Sequence, residues 1–155
     1  GVHEQNVDLE AAITELLDFM GHELQQNEVQ VSFTREGDIP GVCGGHVAMQ
    51  QVIMNLVLNA ERAIVDAGSR NREIRIRLRE HEGGAEIRVR DFGPGVDEEI
   101  RQQIFDPFVT TKNNSLGMGL VVCRRIVENQ GGRLTLEHPE GGGARFRIWL
   151  PACKL

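Results

Sequence analysis

Gln51-Val52-Ile53-Met54-Asn55-Leu56-Val57-Leu58-Asn59-Ala60-Glu61-Arg62 sits inside a run from His46 to about Asp66 whose apolar residues recur at helical spacing. At about 100° per residue, Gln51, Asn55, Asn59 and Arg62 share one narrow arc of that helix. Val52, Ile53, Leu56, Val57, Ala60 and Ile64 fill much of the remaining surface. A buried amide without a partner costs about 1–3 kcal/mol, so a carboxamide stripe on an apolar helix needs an explanation. Either the stripe faces a polar ligand, or it faces water and caps a loop. In the first case an asparagine offers a hard cation a neutral oxygen, and Arg62, one turn on, meets an anion.

Around this helix the chain reads as α+β. Asp8 to about Gln26 is an amphipathic helix, with Leu9, Ile13, Leu16, Leu17, Met20 and Leu24 at its spacing. Val29–Thr34 alternates as a strand, and a Gly/Pro segment at 37–45 then turns the chain, with Gly44 or Gly45 as N-cap of the long helix. Ile74–Arg79 and Ala85–Arg90 alternate in period two about Gly83-Gly84 and predict a hairpin. A short helix is expected over Val96–Gln103, a loop over Asp106–Leu116 and a helix over Leu120–Asn129, closed by Gly131-Gly132. Leu134–Glu137 and Arg145–Leu150 are two further strands, and Trp149 is expected in the core. The sum is a two-layer sandwich: a mixed, mostly antiparallel sheet of about five strands covered on one face by three helices.

The 155 residues, 40% hydrophobic and 26% charged, fit one domain spanning 1–155, with residues 1–6 read as a linker. There is no apolar run of membrane-spanning length and no signal-peptide pattern in the opening GVHEQN. The net charge of −6 argues against a general nucleic-acid binder. The arginines of 72–79 alternate with Ile and Leu and read as a solvated strand face. Three cysteines, at 43, 123 and 153, are odd in number and lack a Cys-x-x-Cys pair, which favours neither a disulfide framework nor a zinc site. Reduced thiols and a cytoplasmic setting are expected.

Three further blocks follow the helix. Asp91-Phe92-Gly93-Pro94-Gly95 ends a strand with a carboxylate beside glycines that permit close approach of a flat ring. The carboxylate can accept from an exocyclic amine such as adenine N6; a plain strand-ending turn fits the same string. Phe105-Asp106-Pro107-Phe108 brackets the start of a polar loop holding Thr110, Thr111 and Lys112, either a lid over phosphates or a surface loop. Gly117-Met118-Gly119 opens the next helix and brings free N–H groups to its positive end. It is neither a Walker loop nor a dinucleotide fingerprint, because no Gly-Lys-Ser/Thr follows and Val122 holds the third glycine position.

In order and spacing the four blocks resemble the catalytic, ATP-binding domain of bacterial sensor histidine kinases, within the superfamily that includes gyrase, Hsp90 and MutL ATPases. The resemblance covers about residues 7–151. It implies a Bergerat-type sandwich that binds ATP and Mg²⁺. Asn59 resembles the Mg²⁺ ligand, Asn55 the support for metal or phosphates, and Arg62 a phosphate contact. Asp91 resembles the adenine N6 partner, with Gly93 and Gly95 shaping that pocket. Lys112 lies in the implied lid, and Gly117 and Gly119 resemble the phosphate-side glycines. The resemblance also puts Val96, Phe108, Thr111, Met118 and Leu120 around the nucleotide. The sequence departs from the pattern at Ser115, at Ala144 where a threonine often supports the aspartate, and at Gly44-Gly45 before the long helix.

ATP hydrolases of the superfamily carry a glutamate base one turn before the metal-binding asparagine. That position is Asn55, and an amide cannot take a proton from water. The resemblance therefore points to phosphoryl transfer, with Asn55, Arg62 and Lys112 as the catalytic set. Gly21-His22-Glu23-Leu24 resembles a phosphoacceptor box, but only about 24 residues precede the first strand, too few for a two-helix hairpin. The implied partners are a phosphoacceptor histidine on a separate dimerisation domain and a response-regulator receiver domain. Neither nucleic acid nor direct membrane contact is expected. A superfamily ATPase or a nucleotide-gated regulatory module is the alternative.

Overall fold

The structure is a computed structural model that describes residues 5–105 and 119–154. The elements run β1 (Gln5–Val7), α1 (Leu9–Gln26), β2 (Gln30–Glu36), β3 (Val42–Gly44), α2 (His46–Ala67), β4 (Glu73–His81), β5 (Gly84–Asp91), α3 (Glu98–Gln103), α4 (Leu120–Asn129), β6 (Arg133–Glu137) and β7 (Arg145–Pro151). Five strands form one sheet in the order β2-β4-β5-β7-β6, with β2–β4 parallel and the other pairs antiparallel. Helices α1, α2 and α4 cover one face, as expected.

Period-two alternation decides which residues meet the helices. Ile74, Ile76 and Leu78 of β4, Ile87 and Val89 of β5, and Phe146, Ile148 and Leu150 of β7 are buried. Opposite them lie Ile13 and Leu16 of α1, Val52, Ile53, Leu56, Val57 and Ile64 of α2, and Val127 of α4, all buried. Each such side chain contributes about 1.5–3 kcal/mol by leaving water. Asp8 caps α1, accepting from Ala11 N at 3.1 Å. Helix α2 starts at Gly45 with no side-chain cap and ends at Gly68, whose φ of 59° no β-branched residue would adopt comfortably.

Three expectations need correction. Residues 5 and 6, read as linker, belong to β1, which pairs antiparallel with β3 in the segment read as a plain turn. Cys43 and Cys153, read as reduced, form a disulfide across 110 residues of sequence. Val42 bridges Ala152, and Cys153 N donates to Gly41 O at 2.8 Å, so the C-terminal segment is tied to the strand that leads into α2. Trp149 is half-buried on the sheet face away from the helices, where its Nε1 donates to His81 O at 2.8 Å. Counting residues from Arg145 puts Trp149 in phase with the arginines and not with Phe146 and Ile148.

The cross-link closes a long loop and so restricts the unfolded chain; cross-links of this kind are worth about 2–4 kcal/mol. Reduction with a dithiol is therefore expected to lower the melting temperature by several degrees, read by circular dichroism with and without reductant. A Cys153→Ser variant should show the lower value under both conditions.

The helix-free face of the sheet holds a fully buried carboxylate, Glu86. Arg79 Nε donates to its Oε1 at 2.8 Å, Arg147 Nε to its Oε2 at 2.5 Å, and Arg88 lies 2.8 Å away. Burial pushes this carboxyl up, but the hydrogen bonds from Arg79 and Arg147 and the charges of Arg88 and Arg147 outweigh it and hold the value at about 2. The folded value lies below the unfolded one of about 4.3, so the stability is complete above that range and is lost as pH falls toward 2. The loss amounts to at most about 3 kcal/mol. Denaturant unfolding between pH 5 and pH 2 checks it: Glu86→Gln is less stable than native at pH 5, and the gap narrows on acidification.

Candidate active site

A cavity of about 320 Å³ opens between α2, the end of β5, the segment after it and the start of α4. Its wall brings together Asn59, Asp91, Gly95, Val96 and Leu120, five of the residues singled out in the sequence. Ala60, Ala63, Ile100, Ile104 and Phe146 make much of the rest apolar.

Asp91 is the last residue of β5 and is 5% exposed. Its Oδ1 accepts from Gly93 N at 2.9 Å, and its own N donates to Ala144 O at 3.0 Å. Burial raises its carboxyl above the usual range, against the lowering effect of backbone hydrogen bonds to the carboxyl from Gly93 and Ala144 and of the Arg90 charge. A buried carboxylate in an apolar wall is costly unless a ligand donor meets it.

Glycine is required around it for definite reasons. A Cβ on Gly93 would come within 3.2 Å of Asp91 Oδ1 and 3.6 Å of Ala63 O. Gly95 has φ +80° and closes against Gly143 O. Gly143, φ +79°, lies so near that a Cβ would collide with the Asp91 carbonyl. Sequence reasoning passed over Gly143, Ala63, Ile100 and Phe146. The signal for Gly143 was the Gly141-Gly142-Gly143 run, read only as a turn. Ala144 lies in the wall itself, and its main chain, not its side chain, holds Asp91.

Two neighbours brace the rim. His138 Nε2 lies 3.0 Å from Val96 O, which fixes the segment after Gly95 and gives this histidine a partner. Phe105 packs edge-on against Phe146 with centroids 6.4 Å apart, which docks the residue that precedes the loop.

Along α2 the stripe divides. Asn59 is half-buried in the cavity wall. Asn55, one turn back, is 5% exposed and outside that wall; its Nδ2 donates to Sγ of the fully buried Cys123 at 3.0 Å. Cys123 thus ties α4 to the stripe, and burial raises its thiol. Arg62 is half-buried one turn beyond Asn59, and Gln51 is exposed. Gly119 is the N-cap residue of α4. Phe108, Thr111, Lys112, Gly117 and Met118 lie outside the described residues.

Among the described residues no three His, Cys, Asp or Glu side chains cluster as a metal cage. The cavity wall offers the Asn59 carboxamide oxygen beside the carboxylates of Asp91 and Asp97. That set suits Mg²⁺, which keeps waters and substrate phosphates as its other ligands.

A sandwich with one helix-covered sheet face, and a cavity between a carboxamide-bearing helix and a buried aspartate, has the layout of an ATPase-type nucleotide-binding domain. The chain belongs to the histidine kinase-, DNA gyrase B- and HSP90-like ATPase family, whose profile matches residues 44–154. It is 35% identical over 147 residues to the sensor histidine kinase ZraS of Escherichia coli strain K12, covering 95% of this chain and 31% of that protein. It is 33% identical over 145 residues to the C4-dicarboxylate transport sensor protein DctS of Rhodobacter capsulatus, covering 94% of this chain and 22% of that protein. The chain thus spans less than a third of these relatives. The catalytic domain of histidine kinase ThkA superposes with a TM-score of 0.83 at 28% identity, covering 97% of this chain and 96% of that one. ThkA bound to the response regulator protein TrrA gives a TM-score of 0.78 at 26% identity, covering 97% of this chain and 42% of that one. Among the described residues no helix is long and apolar enough to cross a membrane.

Proposed function

We propose that this chain is the ATP-binding catalytic domain of a sensor histidine kinase, a single unit over 1–155 that hands the γ-phosphoryl group of ATP to a histidine on a separate dimerisation domain. The observation that carries this reading is that one cavity holds both Asn59 and the buried Asp91. Asp91 accepts from the adenine N6 amine, while Ala60, Ala63, Ile104 and Phe146 enclose the ring and exclude water. Asn59 turns the other end of the nucleotide toward α2, with Arg62 and Asn55 on the same stripe and Gly119 at the start of α4; in this reading Lys112 and Gly117, outside the described residues, are further phosphate contacts. Mg²⁺, when bound, neutralises phosphate charge. Phosphoryl transfer needs positioning and charge neutralisation more than covalent help from the protein.

The hydrolysing alternative requires a carboxylate base where Asn55 stands, and the Asn55 amide is engaged with Cys123. His22 lies on the exposed side of α1, a helix packed against α2 in this same domain, and the reading takes the accepting histidine from another domain. The structure of ThkA in complex with response regulator protein TrrA supports a response-regulator receiver as the next partner. The test mixes the chain with Mg·ATP and a ZraS-type phosphoacceptor domain and measures phosphohistidine. Transfer is expected on the separate domain. ATP binding without transfer to that domain, or to the dimerisation domain of the chain's own full-length protein, overturns the reading.

A further inference from the structure

The helix-free face of the five-stranded sheet carries an arrangement that nucleotide binding does not account for and that the Glu86 cluster accounts for only in part. Read across the strands in register, one rung is Ser32, Arg75, Arg90, Arg145 and Glu137. The next is Thr34, Arg77, Arg88, Arg147 and Thr135, and a third is Glu36, Arg79, Glu86, Trp149 and Arg133. The first two rungs therefore set six arginines side by side on β4, β5 and β7. Like charges directly opposite one another destabilise a sheet, and an alternating pattern would cover the same surface without that cost.

The carboxylates present do not cancel the block. Glu73, Glu36 and Glu137 pair with Arg75, Arg77 and Arg145 from its border, and Glu86 in the next rung pairs with Arg147 and Arg88. Arg90 turns to the carbonyls of Glu140 and Gly142 and stacks over the Phe92 ring at 4.3 Å. Among the described residues, three buried side-chain nitrogens, Nε of Arg77, Arg88 and Arg90, make no hydrogen bond, and all three belong to the six-arginine block. Arg88 Nε lies 2.8 Å from Glu86 Oε1 without hydrogen-bond alignment. In these three rungs and Glu73, eight arginines face four glutamates, on a chain whose net charge is −6. The excess of acid lies elsewhere on the surface. Burial, and the charges of neighbouring arginines, hold Arg88 and Arg90 below the usual guanidinium range.

We propose that this arginine block is a docking surface for an acidic protein epitope, a cluster of carboxylates on the face of a partner helix. Neighbouring strands stand about 4.8 Å apart and successive same-face residues about 6.8 Å apart, so the block is a small rectangular grid. Glutamates at i and i+4 on a helix lie about 5–6 Å apart, a spacing that two rungs of guanidinium forks can meet in bidentate fashion. The border of Glu36, Glu73 and Glu137 sets the size of the ligand. A compact acidic patch fits inside it, whereas a long polyanion such as nucleic acid, or an anionic bilayer, overruns it onto carboxylates and the acidic remainder. This docking is independent of the nucleotide site, which opens on the helix side of the sheet.

The test uses the ¹⁵N-labelled chain and a helical peptide with glutamates at i, i+4 and i+8, in low salt because such contacts are screened. The Nε–Hε resonances of Arg77, Arg88 and Arg90 are expected to shift. In Arg75→Thr/Arg77→Thr, whose ion pairs with Glu73 and Glu36 lie at the border of the block and away from Glu86, the affinity is expected to fall at least tenfold while the melting temperature does not drop. No shift at these resonances overturns the proposal, as does unchanged affinity in the variant. Tighter binding of a DNA duplex or of phosphatidylglycerol vesicles than of the peptide also overturns it. Should the variant fail to fold, the resonances of the native chain decide.

Discussion

Asp91→Asn is expected to weaken ATP binding about a hundredfold, roughly 3 kcal/mol. An ionised carboxylate accepts from Gly93 N and from an adenine amine together, whereas an amide must turn an N–H₂ toward one of them. Titration calorimetry on native and variant checks the loss, and equal affinities would remove Asp91 from the adenine site. The same substitution carries a second sign. Because burial raises Asp91 in the folded state, its contribution to stability is complete below the ordinary carboxylate range and is lost as pH rises through the raised value. At neutral pH the empty protein therefore holds an unfavourable ionised group, and Asp91→Asn should melt no lower than native. Nucleotide affinity in the native protein should fall on acidification through that raised value, since the accepting form is the ionised one.

Asn59→Ala is expected to lower phosphoryl transfer about a thousandfold, roughly 4 kcal/mol, by removing a metal-directed oxygen from the cavity wall. Affinity for ATP without Mg²⁺ should stay within about twofold, because the adenine end is untouched. Transfer rates and affinities with and without Mg²⁺ separate the two effects. A uniform loss in both conditions would give Asn59 a packing role instead.

Much of this architecture is legible residue by residue. The long helix α2, the β4–β5 hairpin and α4 each carry an apolar pattern of one clear period, and the structure places them within a few residues of where the pattern does. The candidate site is legible where a residue type is unusual for its element: amides on an apolar helix, an aspartate before Gly-x-Gly. What escapes is everything that depends on distant pairing. β1 and β3 are three residues each, too short to show alternation, and are held by pairing with one another and with the C-terminal segment. Cys43 and Cys153 are brought together by the C-terminal segment returning past β3, which no local spacing encodes. Alternation assigns Arg75, Arg77 and Arg79 to one face but cannot show that Arg88, Arg90, Arg145 and Arg147 stand beside them. Gly143 acts on Asp91 across 52 residues, so its turn was visible and its contact was not.

The central claim is that the cavity between Asn59 and Asp91 is an adenine-nucleotide site, and base discrimination tests it most directly. Adenine offers a donor at position 6, whereas guanine offers an acceptor there, which a buried carboxylate rejects. Competition between ATP and GTP for the chain in the presence of Mg²⁺ should show ATP bound at least about a hundredfold more tightly, with the preference lost in Asp91→Asn. Equal affinity for ATP and GTP, or a preference that survives the substitution, would contradict the account.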